Sequence, residues 1–388
     1  MPKVNYVQPC GASDVTITFP STSGTLALAG GGGITGFIPS QNTAAPNNTV
    51  NASRLLVDAA STNADAVIQP KGTGAFLAQL PDSTATGGNK RGEQAVDLQM
   101  NRNLSTQVAS GTYSVVVGGQ RNTAASNFAA VVGGTTNNAS GGGAFIGAGT
   151  SNTITGASNG CIGAGQSNNI TGSRSFIGSG QSNSVTNSDS TVVSGYANVV
   201  SGSYSFIGSG FQNTIGNAGY SGILSGTQHV IDAGANASVI LGGQGARASQ
   251  SGVACFASYY RSTPGDTQFI DTVYSGSTGT ATPTLIGIAG STGGVSVPAN
   301  TALSFHIIVS CRQSASNNVG AWIITGLIAN ISGVPTVYNV TSNLIHKSVG
   351  GWDATAVANG STLSLQVTGS AATISWTGAA RFSCTTIA

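Results

Sequence analysis

Charge is what this chain has least of. Its 388 residues include 13 Lys or Arg and 11 Asp or Glu, 6% in all, where ordinary globular chains carry about 25%. The net charge of +2 excludes nucleic-acid binding through a basic patch. The charges are also too sparse to lace exposed helices with i,i+4 pairs. Long apolar runs are missing as well. Trp322-Ile323-Ile324 is typical of their length, so no transmembrane helix and no membrane insertion are expected. Met1 to Tyr6 contains no long apolar stretch, and a secretory signal is not expected. The five cysteines, Cys10, Cys161, Cys255, Cys311 and Cys384, are widely spaced and form no CxxC. That argues against a disulfide framework or a zinc site and for reduced, small apolar fillers.

Glycine, by contrast, fills 57 positions. No G-X-Y period makes this collagen, and a hydrophobic content of 39% argues against disorder. The glycines mark a repeat. Its anchors are Gly119, Gly134, Gly149, Gly165, Gly180, Gly195, Gly210, Gly226 and Gly243, spaced by 15 to 17 residues. Three residues after the anchor stand Asn122, Asn137, Asn152, Asn168, Asn183, Asn198 and Asn213, then His229. Three residues before it stand Val116, Val131, Ile146, Ile162, Ile177, Val192, Ile207, Ile223 and Ile240, with Ser, Ala or Gly two positions to either side. Five residues after it comes a second small or apolar position, from Ala124 to Ile231.

Alternation in a strand sends every second side chain to the same face. The small, Val/Ile, small triplet is therefore expected to point into a narrow interior, with the second apolar position half-buried beside it. Glycine turns the chain at each corner. Asn suits such a corner because it tolerates the left-handed region, and stacked Asn can also form an amide ladder along the axis. Each repeat then forms two short strands, one coil of a parallel β-roll or β-helix of about nine coils. Four residues before the anchor, on the outer face, large and small residues alternate through Phe145, Cys161, Phe176, Thr191, Phe206 and Gly222. Solvent gives no reason for Phe on every second coil. A second chain would, because large and small knobs interlock. Phe145, Phe176 and Phe206 are therefore expected at a subunit interface. The competing reading leaves them flanking the interior of an isolated solenoid.

Short coils of small-Val/Ile-Gly strands with Asn/Ser/Gly turns resemble the trimeric β-roll heads of bacterial adhesins and the shafts of phage tail fibres. The stretches Arg91 to Gln99 and Gln107 to Gly111, and Asp14 to Pro20 with Gly24 to Leu28, are similar to the lead-in of phage fibre proteins. An adhesin of the first kind needs a secretion signal and a membrane anchor, so the departure favours the phage fibre. This resemblance implies a homotrimer attached by one end to a tail or baseplate protein. It also implies a virion location, assembly in the host cytoplasm, and a host-surface glycan or outer-membrane receptor as partner.

Residues 1–110 have a different texture, with a glycine hinge or turn at 30–33 and a Pro/Asn/Thr loop at 40–51. They read as a β-rich region that either attaches the rod or caps it. The shaft spans 111–250. From 256 to 388 the period stops and antiparallel alternation begins. Phe305, Ile307, Val309 and Cys311 oppose Ser304, His306, Ile308 and Ser310, and Leu363, Leu365 and Val367 oppose Ser364, Gln366 and Thr368. About eight short strands with turn signals every 8 to 15 residues predict a jelly-roll-like β-sandwich tip. Val297 to Thr301, Gly351 to Asp353 and Ile374 to Trp376 resemble the terminal sandwich of phage fibres. The expected fold class is thus all-β, a parallel β-roll followed by an antiparallel sandwich, in a homotrimer.

Catalysis is not expected. Asp189 and Asp232 of the shaft lie nearly three coils apart, about 14 Å along the axis, beyond the spacing of a glycosidase pair. The tip offers Asp266, Asp271 and Asp353. His306, His346 and Asp353 suggest a triad only loosely, because no GxSxG elbow accompanies them. His229, His306 and His346 lack metal spacing, no cofactor motif stands out, and His229 reads as a turn substitute for Asn. Adhesion through the tip is the better reading, with Trp352, Asp353, Tyr338 and His346 as receptor contacts. The alternative for Trp352 is a core position. The rival functions are a tailspike that cleaves surface polysaccharide and a purely structural virion fibre.

Overall fold

The structure, a computed structural model, describes the backbone of residues 37–41 and 51–55, and residues 68–259, 264–288 and 293–386. Among these every regular element is a strand, and no helix is long and apolar enough to cross a membrane. The chain divides into two compact units, Met1–Gln69 and Pro70–Ala388. In the first, Phe37–Gln41 pairs antiparallel with Asn51–Leu55. The lead-in motifs at 14–20 and 24–28 and the glycines at 30–33 lie outside the described residues.

The second unit begins as a parallel β-solenoid of about 11 turns. One ladder runs from Phe76–Leu77 through two-residue strands such as Phe176–Ile177 to Val253–Ala257. A second, nine-stranded, runs from Thr123–Ala124 to Arg247–Ala248. Single-residue bridges from Asn101 to Gln244 mark a third side. The ladder therefore extends beyond the nine repeats at both ends and includes residues 76–110, which composition alone set apart. Backbone N–H groups of each coil donate to carbonyls of the next, as Phe176 to Ser190 at 3.0 Å and Gly178 to Val192 at 3.0 Å.

The interior holds two apolar columns. Val116 to Ile240 form one, and Ala124 to Ile231 form the other, all at 0% exposure. The second column is thus fully buried rather than half-buried. The small residue before the Val/Ile points inward as expected, for example Ser175. The one after it does not. Ser179 is exposed, because the chain has already begun the corner that Gly180 completes at φ 104°. Two features reserve that corner for glycine. A Cβ there would occupy a left-handed backbone, and it would stand 2.1 Å from the Gly195 carbonyl oxygen and 2.8 Å from Asn183 Nδ2.

The recurring Asn also behaves differently from a turn residue. The left-handed position is its predecessor, Ser182 at φ 58°, and Asn183 is buried. Its Oδ1 accepts the backbone N–H and the Nδ2–H of Asn198, both at 3.0 Å. Its Nδ2 donates to Asn168 Oδ1 at 3.1 Å, Ser179 O at 3.3 Å and Gly195 O at 2.9 Å. The amide ladder therefore satisfies the buried backbone at the corner, where β pairing is absent. Gln99 starts the column, with Oε1 accepting the Asn122 N–H at 2.8 Å.

After Phe256 the same sheet continues with long antiparallel strands. Val253–Ala257 pairs with Thr267–Thr278, then follow Ile374–Thr386, Thr301–Gln313, Val319–Asn330 and Thr336–Lys347. A smaller sheet places Thr362–Thr368 between Asp353–Asn359 and the strands Thr284–Ile288 and Val295–Ser296. The two layers enclose Phe305, Ile307, Val309, Leu363, Leu365 and Val367 together with Trp322, Trp352 and Trp376. Trp352 packs edge-on against Trp376, with ring centroids 6.2 Å apart. Cys161, Cys255, Cys311 and Cys384 are free thiols. Burial pushes Cys255 up to about 12 and Cys384 up to about 11, values of inert apolar fillers.

Candidate functional site

The solenoid's two sheets share a backbone geometry, but their outer faces differ in chemistry. The second sheet shows solvent mostly polar residues, Thr123, Asn138, Thr153, Asn169, Ser184 and Thr214, interrupted by Val199 and Val230. The first shows Phe145, Phe176 and Phe206 at 41%, 39% and 38% exposure, with Val117, Val132, Val193, Leu224 and Leu241 also exposed. Two residues after each Phe stands a glycine, Gly147, Gly178 or Gly208. A Cβ added at Gly178 would lie 3.3 Å from the Phe176 ring, so each ring lies close over its glycine. Where the Phe is replaced by Thr191, Gly222 or Val239, the glycine gives way to Val193, Leu224 or Leu241. Volume is thereby restored on those coils, whereas Cys161 with Gly163 keeps both positions small between the coils of Phe145 and Phe176.

This face passes without a break into the tip, because strand register carries it across. Val239 pairs with Ala254, Ala254 with Asp271, Asp271 with Arg381, and Arg381 with His306. Charge enters the row here. Arg381 Nε and Nη2 donate to the two carboxylate oxygens of Asp271 at 2.8 and 2.7 Å. The guanidinium holds the Asp271 carboxyl below its ordinary range, chiefly through these hydrogen bonds. Around the row lies a groove of about 630 Å³ whose apolar lining includes Val239, Val273, Ile308 and Ala379. Val273 and Ile308 are 49% and 51% exposed.

A second cavity, about 330 Å³, lies at the same junction and is lined by Asp232 and Asp266 together with Arg247 and Gln268. Asp266 is buried. Asp232 accepts from Arg247 Nε at 2.9 Å. Asp189 is taken up by Arg174, two bonds at 2.7 Å, which hold its carboxyl below the usual range.

The receptor contacts expected from sequence do not assemble. Trp352 has 0% exposure, so it is a core residue and not a surface contact. Its alternation partner Asp353 is exposed. Tyr338 and His346 are exposed on one strand, Thr336–Lys347, eight residues and so about 26 Å apart. Of the junction residues, sequence singles out Asp271 and His306 only as weak catalytic candidates, and Arg381 not at all. The available signal was the alternation that put His306 on the outer face, but register alone brings the other two beside it.

No family model matches the chain, and no curated protein matches it. Among solved structures it is similar to the tailspike protein gp49 of Acinetobacter baumannii bacteriophage Fri1, a capsular polysaccharide depolymerase. There the identity is 9% and the TM-score 0.21, over 81% of this chain and 68% of that one. It is also similar to the tailspike protein of Acinetobacter baumannii phage AM24, at 9% identity and a TM-score of 0.20, over 78% of this chain and 60% of that one.

Proposed function

We propose that this chain is a virion tail fibre that adheres to a host cell-surface receptor, a glycan, without cleaving it. The observation that carries the reading is the junction groove, an exposed concavity with an apolar floor and hydrogen-bonding side chains on a rigid sheet. Such a surface suits a saccharide, which presents C–H faces and hydroxyls together. A sheet-borne site also stays preorganised better than one on loops.

Self-association belongs to the same reading. The outer face from Val115 to Phe206, short of the groove, carries no charge, and its Phe knobs recur on every second coil. Another copy of this chain has matching knobs at the same axial spacing, two coils or about 9.6 Å. Packing three copies through Phe145, Phe176 and Phe206 gives a homotrimer and triples the receptor sites, with the gain of avidity. The N-terminal region, within residues 1–110, attaches to a tail or baseplate protein in the virion, assembled in the host cytoplasm.

A second reading, polysaccharide cleavage, is favoured by the shared cavity of Asp232 and Asp266, since paired carboxylates are the machinery of glycoside hydrolysis. Incubation of the purified protein with host surface polysaccharide separates the two. Retention of the protein on cells without new reducing ends is expected. New reducing ends that disappear in Asp266→Asn would establish cleavage instead.

A further inference from the structure

We propose that the junction groove binds a glycan bearing a carboxylate, gripped between Arg381 and His306. The inference rests on the adhesive reading above and names its site and ligand chemistry.

Three observations lead to it. The first is size and lining. About 630 Å³ lies within the range of small-ligand sites, about 300–1,000 Å³. Val273 and Ile308 stand half-exposed on its floor while alternate residues of the same strands, Tyr274 and Ile307, already fill the core. Folding gives no reason for apolar side chains there, but the C–H face of a sugar ring does.

The second is the pattern of free donors. Asp271 fixes Arg381 through Nε and Nη2, a fork that sets the plane of the guanidinium and leaves the two N–H bonds of Nη1 for a ligand. His306 lies opposite Arg381 in the ladder, at a Cβ separation of about 5 Å, and its side chain is exposed. The free Nη1 edge of Arg381 and the neighbouring His306 imidazole offer convergent donors, which suit the two oxygens of a carboxylate better than a lone hydroxyl.

The third is Tyr220. It sits at φ 58°, a conformation that costs a bulky residue energy, and it is 71% exposed. Tyr204 covers one face of its ring at 5.0 Å. Beyond the other face the corner column shrinks to Ala237, which lines the groove. The open face of Tyr220 is a platform for a sugar at that end of the groove. The corner φ recurs in the neighbouring coils, at Asp189, Tyr204 and Ala237, so what sets Tyr220 apart is its uncovered ring face.

The test uses the full chain and two probes. One is acidic polysaccharide stripped from cells that the protein is shown to bind; the other is the same material after carbodiimide reduction of its carboxylates to alcohols. Wild type is expected to bind the native material at least about tenfold more tightly, the worth of one charge-assisted hydrogen bond. Arg381→Gln and His306→Gln are each expected to lose about tenfold, and Tyr220→Ala a similar factor. Arg312→Gln, which removes an exposed charge elsewhere on the strand of His306, is expected to bind like wild type. Equal affinity for both probes, or full binding by Arg381→Gln and His306→Gln, overturns the site while cell adhesion stands. Failure of wild type to bind any cell surface removes the adhesive reading and this one with it.

Discussion

Asp97 pairs in register with Val116 on one side and Leu77 on the other, so a carboxylate stands in the column next to its run of Val and Ile. Arg91 Nε and Arg102 Nη2 meet the same Asp97 oxygen at 2.7 and 3.0 Å, and all three side chains are buried. Arg102 also donates to the carbonyls of Gln99 and Gln107. The apolar tube thus ends in a hydrogen-bonded polar plug made from the segment that sequence likened to a fibre lead-in. Asp97→Ala leaves two buried guanidinium groups without their counter-charge. It is expected to cost about 3–5 kcal/mol, read by chemical denaturation. A loss below about 1 kcal/mol would show that the plug does not cap the solenoid.

Two glycines separate conformational need from mere abundance. Gly180→Ala places a methyl group 2.1 Å from the Gly195 carbonyl oxygen on a left-handed backbone, and the coils must part to admit it. Gly142 has open space around its Cβ direction and no left-handed φ. Gly142→Ala is expected to be neutral or to stabilise by about 0.4–1 kcal/mol, since it reduces the freedom of the unfolded chain. Gly180→Ala is expected to lower the melting temperature by many degrees. Equal melting temperatures for the two variants would contradict the role of the anchor glycines.

The solenoid was legible in sequence because every coil repeats one residue type at one place, and the interior Val/Ile column follows directly from strand alternation. The amide ladder was legible only in part. Asn suits both an exposed turn and a buried corner, and nothing in its spacing tells which. Trp352 shows the same limit in the tip, where an aromatic beside Gly351 fits a surface loop until the second sheet covers it. The groove was hidden for another reason. Asp271 and Arg381 are 110 residues apart, and only the register of long antiparallel strands makes them neighbours of His306. Periodicity gives which face a residue takes but not which strand lies beside it.

The apolar outer face makes its own prediction. Phe176 is 39% exposed and its ring lies over Gly178, so Asp in its place disturbs little within one chain. Across a subunit boundary it would bury an unpaired charge, which is strongly unfavourable. Phe176→Asp is expected to leave the β-sheet circular dichroism signal unchanged and to shift the native mass from trimer to monomer. A trimer that persists in Phe176→Asp at micromolar concentration would remove this face from the interface.

His229 takes the place of Asn at the eighth coil and nearly reproduces its bonds. Its N–H donates to Asn213 Oδ1 at 3.0 Å, and its Nδ1 accepts from Ala246 N–H at 2.9 Å, as an amide oxygen would. Nε2 stands in for the amide nitrogen but makes no full hydrogen bond, although the Ser225 and Gly243 carbonyls act on it. Protonation would set an Nδ1–H against the Ala246 N–H inside the coil. Burial, the larger effect, also disfavours the cation, so the imidazole titrates below its ordinary value of 6.5. The sign follows from linkage. Above about pH 6.5 both folded and unfolded states hold the ring neutral and stability is constant. Below it the unfolded chain takes up the proton first, and stability falls by up to about 1.4 kcal/mol per pH unit until the folded ring also titrates. His229→Asn restores the uniform ladder and removes the titrating group. Thermal melts between pH 7.5 and 4.5 are expected to show wild type losing stability relative to His229→Asn as the pH falls. Parallel curves would mean that His229 does not need to be neutral in the folded coil.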